Sequence, residues 1–402
     1  MERKNRFTTS RGRYFHHKNR NDEEVSKIQI VPSDNIDIEE FIKSICFVSP
    51  DIQNVAIKED GIEIEISDNS RIVEIRKILV EMMKRYTIPN KIRETYYEKC
   101  LYDKRYYDIS TLENEVISFG NGQIGFGEKG KFLFDFLDSK FSEIAYELGA
   151  VEKLYPVLLP LDDYSMTGYV RKTPQYAIFC STVNESLKDL EQTDAAMHDK
   201  KVKEIIKEPR FALSPSACFH TYIEYKDKTL KDNTIVTFRQ NVFRNEGRLN
   251  YNEIGRLCDY HVREIVMIGS NEFILESRNK IMQKSKELMS KLQLIGDISL
   301  ASDSFVVPKM QMYRKIQHID KSKYEMHLNI SPDKSISTAS YNLHGKAFTD
   351  PFNISVENCE DTVTACVGFG LQRWVLAFLL QHGLNEESWP EEVKSEYFTN
   401  KK

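Results

Sequence analysis

Arg373 stands in an element that offers it no obvious partner. The stretch 364–383, TACVGFGLQRWVLAFLLQHG, spaces Leu371, Trp374, Val375, Phe378 and Leu379 at the i, i+3, i+4, i+7, i+8 rhythm of one helix face. Leu376, Ala377 and Leu380 carry the apolar character round the rest, so this helix reads as buried on nearly every side. An unpaired charge inside a protein is very costly. Arg373 therefore needs either a structural carboxylate or an anionic ligand. Glu264 raises the same question with the opposite sign. Val262, Glu264, Val266 and Ile268 alternate onto one strand face, where Glu264 is the only charge. Its carboxylate must be protonated, ion-paired or metal-bound. Cys218 and Cys366 are far apart in the chain and match no CxxC pattern. On spacing alone each is first of all a small buried hydrophobe.

The elements that must hold these side chains read as a mixture of helix and strand. After Pro215, the segments 217–225, 234–246 and 260–269 read as antiparallel strands. Alternation puts Cys218 and His220 on one face of the first, and Arg244 with Glu246 on one face of the second, just before the turn GRLNYN. Residues 271–293 form an amphipathic helix, and 324–330 and 335–341 are further strands. Upstream, 129–150 is a helix with Phe134, Leu137, Phe141, Ile144, Ala145 and Leu148 on one face and Gly149 at its stop. It leads into a strand at LYPVLLP. The glycine-rich run 120–128, GNGQIGFGE, lacks the Lys and the strand-to-helix setting of a phosphate loop. The polar run 181–210, helical up to Pro209, is an insertion over one edge of the core, suited to a lid or a docking surface.

The domain plan follows from composition. Residues 1–22 are strongly basic, with few aliphatics, and read as a disordered tail; the pair His16–His17 is a weak metal signal. Residues 23–115 form a small α+β domain: a strand at VSKIQIV, a helix at IDIEEFIKSICFV, a hairpin over 55–66 turning at Asp60–Gly61, and a helix over 70–86. Residues 116–402 form the large domain. The 402 residues carry a net charge of −5, which gives no overall electrostatic footprint for nucleic acid and argues against tRNA as a partner. Seven cysteines without a dense framework suit a reducing compartment, and the expected location is the cytoplasm. No run approaches the roughly 18 apolar residues of a membrane span.

GFGLQR, with Arg373, resembles the third signature motif of class II aminoacyl-tRNA synthetases. FRNEGR, followed by a loop, Arg256–Leu257 and HVREIVMIG, resembles the second, and the helix running into a strand with Pro156 resembles the first. The longer run ACVGFGLQRW is most similar to the amino acid–[carrier protein] ligases, truncated relatives of archaeal-type seryl-tRNA synthetases. The resemblance covers 120–387 and implies an α+β fold, a mostly antiparallel sheet flanked by helices, in a homodimer. It implies that Arg373 holds the γ-phosphate of ATP, Arg244 the α-phosphate, and Glu246 the adenine side. Arg256, Leu257, Ser337, Thr338, Ala339 and Ser340 would complete the nucleotide and substrate site. In that last strand the chain departs from the ligases, with Ser335-Ile336-Ser337 where they carry an early acidic residue.

Cys218, Glu264 and Cys366 match the three zinc ligands of the same proteins, with His220 and Cys359 as the alternatives. Three protein ligands leave a fourth position open for the substrate's amine. The implied cofactors are ATP, Mg2+ and Zn2+. The implied activity is ATP-dependent activation of glycine, alanine or serine as aminoacyl-AMP, with transfer to the phosphopantetheine thiol of a carrier protein. Two alternatives stand beside it: a seryl-tRNA synthetase-like enzyme charging tRNA, and a non-catalytic paralogue that binds or regulates. The first 115 residues show no sustained heptads of a tRNA-gripping coiled coil.

Overall fold

Isoleucine at every second position gives 61–66 one buried face, with Ile62, Ile64 and Ile66 all inside. The computed structural model describes residues 26–33, 36–86, 95–97 (backbone only) and 106–400; the tail read over 1–22 and its histidine pair lie outside them. In the small N-terminal unit, strands β1 (Ser26–Ile30), β2 (Ile52–Lys58) and β3 (Gly61–Ile66) pair antiparallel in the order β1–β3–β2. Gly61, at φ +142°, is forced: a Cβ there would lie 2.4 Å from the Ile30 carbonyl oxygen. Helices α1 (Ile38–Ile45) and α2 (Ile72–Met83) close its core through Phe41, Ile45, Ile75 and Leu79. Asp37 caps α1 by accepting from the Glu40 amide at 3.2 Å. The elements expected over 23–86 are therefore present, within a few residues at their ends.

The large unit is built on eight strands. They are β4 (Thr95–Tyr97), β7 (Val151–Glu152), β8 (Thr234–Phe243), β9 (Asp259–Gly269), β10 (Gly296–Leu300), β11 (Lys323–Asn329), β12 (Ser335–Gly345) and β13 (Val363–Gly370). A hairpin, β5 (Val116–Gly120) and β6 (Gln123–Phe126), precedes helix α3 (Glu128–Glu147). The sheet order is β4–β10–β11–β12–β13–β9–β8–β7, antiparallel throughout except for the parallel edge pair β7–β8. Alternation divides its side chains between two cores. Ile265, Met267, Val367 and Phe369 face α3, α4 (Asn271–Lys291) and α5 (Leu371–His382), where Phe141 stacks on Phe369 at 4.1 Å. Val262, Val266, Ile268 and Cys366 face the other way. Glu264 lies on that second face and Arg263 on the first, where Arg263 grips Asp138 of α3 with two hydrogen bonds at 2.8 and 3.0 Å.

Helix α5 is buried at every position except Arg373, and Gly383 ends it at φ +73°. Three expectations are corrected. Residues 217–225 are not a strand: Phe219–Glu224 is a short helix, since Phe219 and Tyr222, three apart, both pack on Phe348. The helix in the insertion is confined to Leu187–His198, ended by Lys200 at φ +59°. The glycine-rich run 120–128 does pass from a strand into a helix, as the β5–β6 turn and the lead into α3.

Candidate functional site

The sheet's second face opens on a cavity of about 540 Å³. Its lining takes in Arg244, Arg373, Cys218, Glu264, Cys366 and the strand residues Ser337, Thr338, Ala339 and Ser340. Three expected residues lie elsewhere. Leu257 is buried in the core below, while Glu246 and Arg256 pair with each other at 3.2 Å in a neighbouring cleft.

Arg373 makes no ion pair among the described residues. Its Nε donates to the Gly255 carbonyl at 2.9 Å, its Nη1 to that of Ser337 at 3.2 Å, and it lies over the Tyr260 ring at 4.9 Å. Arg244, one residue beyond β8, donates from Nε to the Pro215 carbonyl at 2.8 Å and lies over Tyr176. A guanidinium carries five N–H donors. Backbone carbonyls orient both arginines without neutralising them, which leaves charge and donors for an anion.

Register explains the second cluster. Glu264 of β9 faces Gly368 of β13, and Val266 faces Cys366, so Glu264 and Cys366 are diagonal neighbours on one face. Gly368 leaves room for the Glu264 carboxylate, since a Cβ there would sit 2.7 Å from Glu264 Oε2 and push it aside. On the other side of β13, Asn342 of β12 faces Cys366. Two residues on, His344 places Nε2 3.3 Å from Cys366 Sγ. Cys218, at the start of the helix Phe219–Glu224, completes the group: the donor atoms of Cys218, His344 and Cys366 all lie within 4.8 Å of one another. Glu264, 4% exposed, forms no ion pair among the described residues. Burial pushes its carboxyl up to about 8, against a smaller opposing pull from Cys366 and Arg244. The Cys366 thiol is held well above its ordinary range, first by the adjacent Cys218 thiol, then by burial and Glu264. Burial pushes His344 down to about 4.

The two thiols and the imidazole are a donor set suited to a soft divalent cation such as zinc; of the expected ligands, Glu264 lies beside Cys366 but is not among the three whose donor atoms converge. His344 was not singled out from the sequence. It falls beyond the strand expected over 335–341, and only the β12–β13 pairing shows that it meets Cys366. The alternatives His220 and Cys359 are not in the group: His220 Nε2 is bonded to the Leu158 carbonyl at 3.1 Å, and Cys359 packs at the edge of the core.

A third polar group lines the far wall. Lys323 Nζ lies 2.5 Å from Asp303 Oδ1 and 2.9 Å from Glu325 Oε1, and His327 approaches Glu325 at 3.5 Å. The loop after Arg244 is pinned from outside by the N-terminal unit. Arg248 donates to the carbonyls of Pro50 and Ile52, and Asn250 to that of Lys43 at 3.0 Å. Arg314 pairs with Asp37 at 2.6 Å across the same junction. Among the described residues no helix is long and apolar enough to cross a membrane.

The antiparallel sheet, its flanking helices and this cavity define the chain as a class II aminoacyl-tRNA synthetase fold. A crystal structure of A. aeolicus tRNASec in complex with M. kandleri SerRS superposes over 94% of this chain and 77% of its own, with a TM-score of 0.69 at 20% identity. Seryl-tRNA synthetase from Pyrococcus horikoshii complexed with ATP superposes over 81% of this chain and 79% of its own, with a TM-score of 0.55 at 12% identity. In sequence, the type-2 serine–tRNA ligase of Methanocaldococcus jannaschii is 28% identical over 312 residues, 74% of this chain and 60% of that protein. That of Methanopyrus kandleri is 25% identical over 352 residues, 80% of this chain and 65% of that protein. The chain thus spans about 60% of the length of the first of these relatives. No family model matches it.

Proposed function

We propose that the protein activates serine with ATP as the aminoacyl adenylate and passes it to an acceptor, in the manner of the type-2 serine–tRNA ligases it resembles. The observation that carries this reading is the meeting of Arg244, Arg373 and the thiol–carboxyl cluster in one cavity, at the two ends such a reaction needs. Arg373 and Arg244, aimed by backbone carbonyls, bind the triphosphate and offset the charge that develops as the carboxylate attacks the α-phosphorus. The Ser337–Ser340 strand forms the cavity wall between them and the cluster, and holds substrate in line. Arg256, held by Glu246 and Glu253 in the neighbouring cleft, would reach the phosphates only on leaving both carboxylates. Cys218, Glu264 and Cys366 would hold zinc, which would supply a Lewis-acid position for the substrate's neutral α-amine. Magnesium would be held chiefly by the phosphates of ATP, since the cavity carboxylates Asp303 and Glu325 are engaged by Lys323.

The relatives' names favour tRNA as the acceptor, at odds with the expectation drawn from the net charge of −5. A whole-chain charge does not weigh a local groove. The carrier-protein thiol rests on the sequence resemblance alone. The exposed apolar Val151 and Leu154 at the β7 edge suit a homodimer contact. Zinc-loaded protein should drive ATP–pyrophosphate exchange with serine above glycine and alanine. Label from serine should then reach tRNA in an ester. Label on a phosphopantetheine thioester instead would overturn the acceptor, and no exchange with any of the three amino acids would overturn the reading as a whole.

A further inference from the structure

We propose that His344 is a fourth protein donor to the metal held by Cys218, Glu264 and Cys366, bound through Nε2, so that the resting site is closed by the chain itself. This rests on the zinc reading above and goes beyond its three ligands. Zinc–sulfur and zinc–nitrogen bonds of about 2.3 and 2.0–2.1 Å at a tetrahedral angle put nitrogen and sulfur about 3.5 Å apart. His344 Nε2 lies 3.3 Å from Cys366 Sγ and within 4.8 Å of Cys218 Sγ. Its position is built into the strand pair: the β12–β13 register slips between Leu343 and Gly345, at His344 itself, where one extra residue re-aims a side chain. Phe348 holds the ring edge-on at 4.9 Å. The one other histidine close to Cys218 in sequence, His220, is committed to the Leu158 carbonyl.

The consequence concerns the substrate. Once the ion draws the carboxylate of Glu264, which lies beside Cys366, onto itself with the two thiolates and the imidazole, the tetrahedron is complete, and the imidazole occupies the position that an amino acid's amine must take. Amine and imidazole compete for one place, and a ligand lacking a free α-amine leaves His344 where it is.

Zinc X-ray absorption on the full chain reads this directly. The wild type without amino acid should show the outer-shell scattering of one imidazole; His344→Ala and His344→Gln should each keep zinc and lack it. Saturating serine should remove the signature from the wild type, and N-acetylserine should not. Identical spectra for wild type and both variants, each holding one zinc, would overturn the proposal and leave the three-ligand site standing. A wild type that takes up no zinc would remove both.

Discussion

Two buried polar groups share one cavity and are neutralised in opposite ways. On the far wall Lys323, 10% exposed at its side chain, sits between Asp303 and Glu325. Burial alone would raise the Glu325 carboxyl, but Lys323 and His327 outweigh it and hold the group well below the usual carboxylate range. Burial alone would lower the Lys323 amine, but the two carboxylates drive it up. That wall is complete within the chain. On the sheet face Glu264 has no ion-pair partner among the described residues and Arg244 only partly offsets its burial, so its carboxyl is pushed up to about 8, and the Cys366 thiol beside it is held well above its ordinary range. A charged group balanced by its neighbours is a structural element. One that stays neutral only by holding protons is matched to a cation from outside, which displaces those protons on binding.

The comparison breaks most visibly at Cys366. Replacing it with Ser should lower zinc affinity by more than about 100-fold, the upper end of what losing a mere outer-shell partner costs. Metal per chain after dialysis against a chelator measures this, and a variant that keeps its zinc would place the ion elsewhere. Arg373 comes next. Its partners are carbonyls and a ring face, not a carboxylate. Arg373→Ala should therefore slow ATP–pyrophosphate exchange by about 10²–10³, or 2.7–4 kcal/mol, the cost of one charge-stabilising donor lost from a transition state. Circular dichroism should show the fold intact. A variant that unfolds, with exchange per folded molecule unchanged, would make Arg373 structural.

What the sequence revealed, and what it hid, follows the same division. Alternation at Val262, Glu264 and Val266 and the 3.6 rhythm of α5 are local signals, and both elements formed where they were read. The misfit of Glu264 among valines was visible because one strand suffices to state it. His344 was not, because its meaning depends on which residue of β13 lies opposite Asn342, a pairing made across the chain. The segment at Cys218 was misread for a related reason: Phe219 and Tyr222 fit a strand or a helix turn, and packing on Phe348 decides for the helix. The loop from Arg244 to Arg256 is held in part by Pro50, Ile52 and Lys43, about two hundred residues earlier, which no motif could announce.

The last expectation concerns the wall and leaves the thiol cluster untouched. Lys323→Met leaves the carboxylates of Asp303 and Glu325 without their cation. Removing one partner of a buried pair costs about 3–5 kcal/mol. Because the Asp303 side chain is 40% exposed to the cavity, the lower end, about 3 kcal/mol, is expected in urea denaturation at pH 7. Zinc content should not change, since Lys323 touches no member of the thiol cluster. The pH dependence gives the sign. A carboxylate held low in the fold stabilises above its unfolded value of about 4.3 and loses that contribution as pH falls below it. Lys323, held high, contributes fully below its unfolded value of about 10.4, so it adds no slope on the acid side. The gap between wild type and Lys323→Met should therefore be widest at neutral to mildly alkaline pH and narrow as pH falls, first as burial lets the uncompensated carboxyl of the variant take up a proton and then, below about 4.3, as the wild type loses its own pair. A gap that persists undiminished at low pH would mean that Lys323 works through the packing of its stem, and the contrast between the two clusters would lose its electrostatic basis.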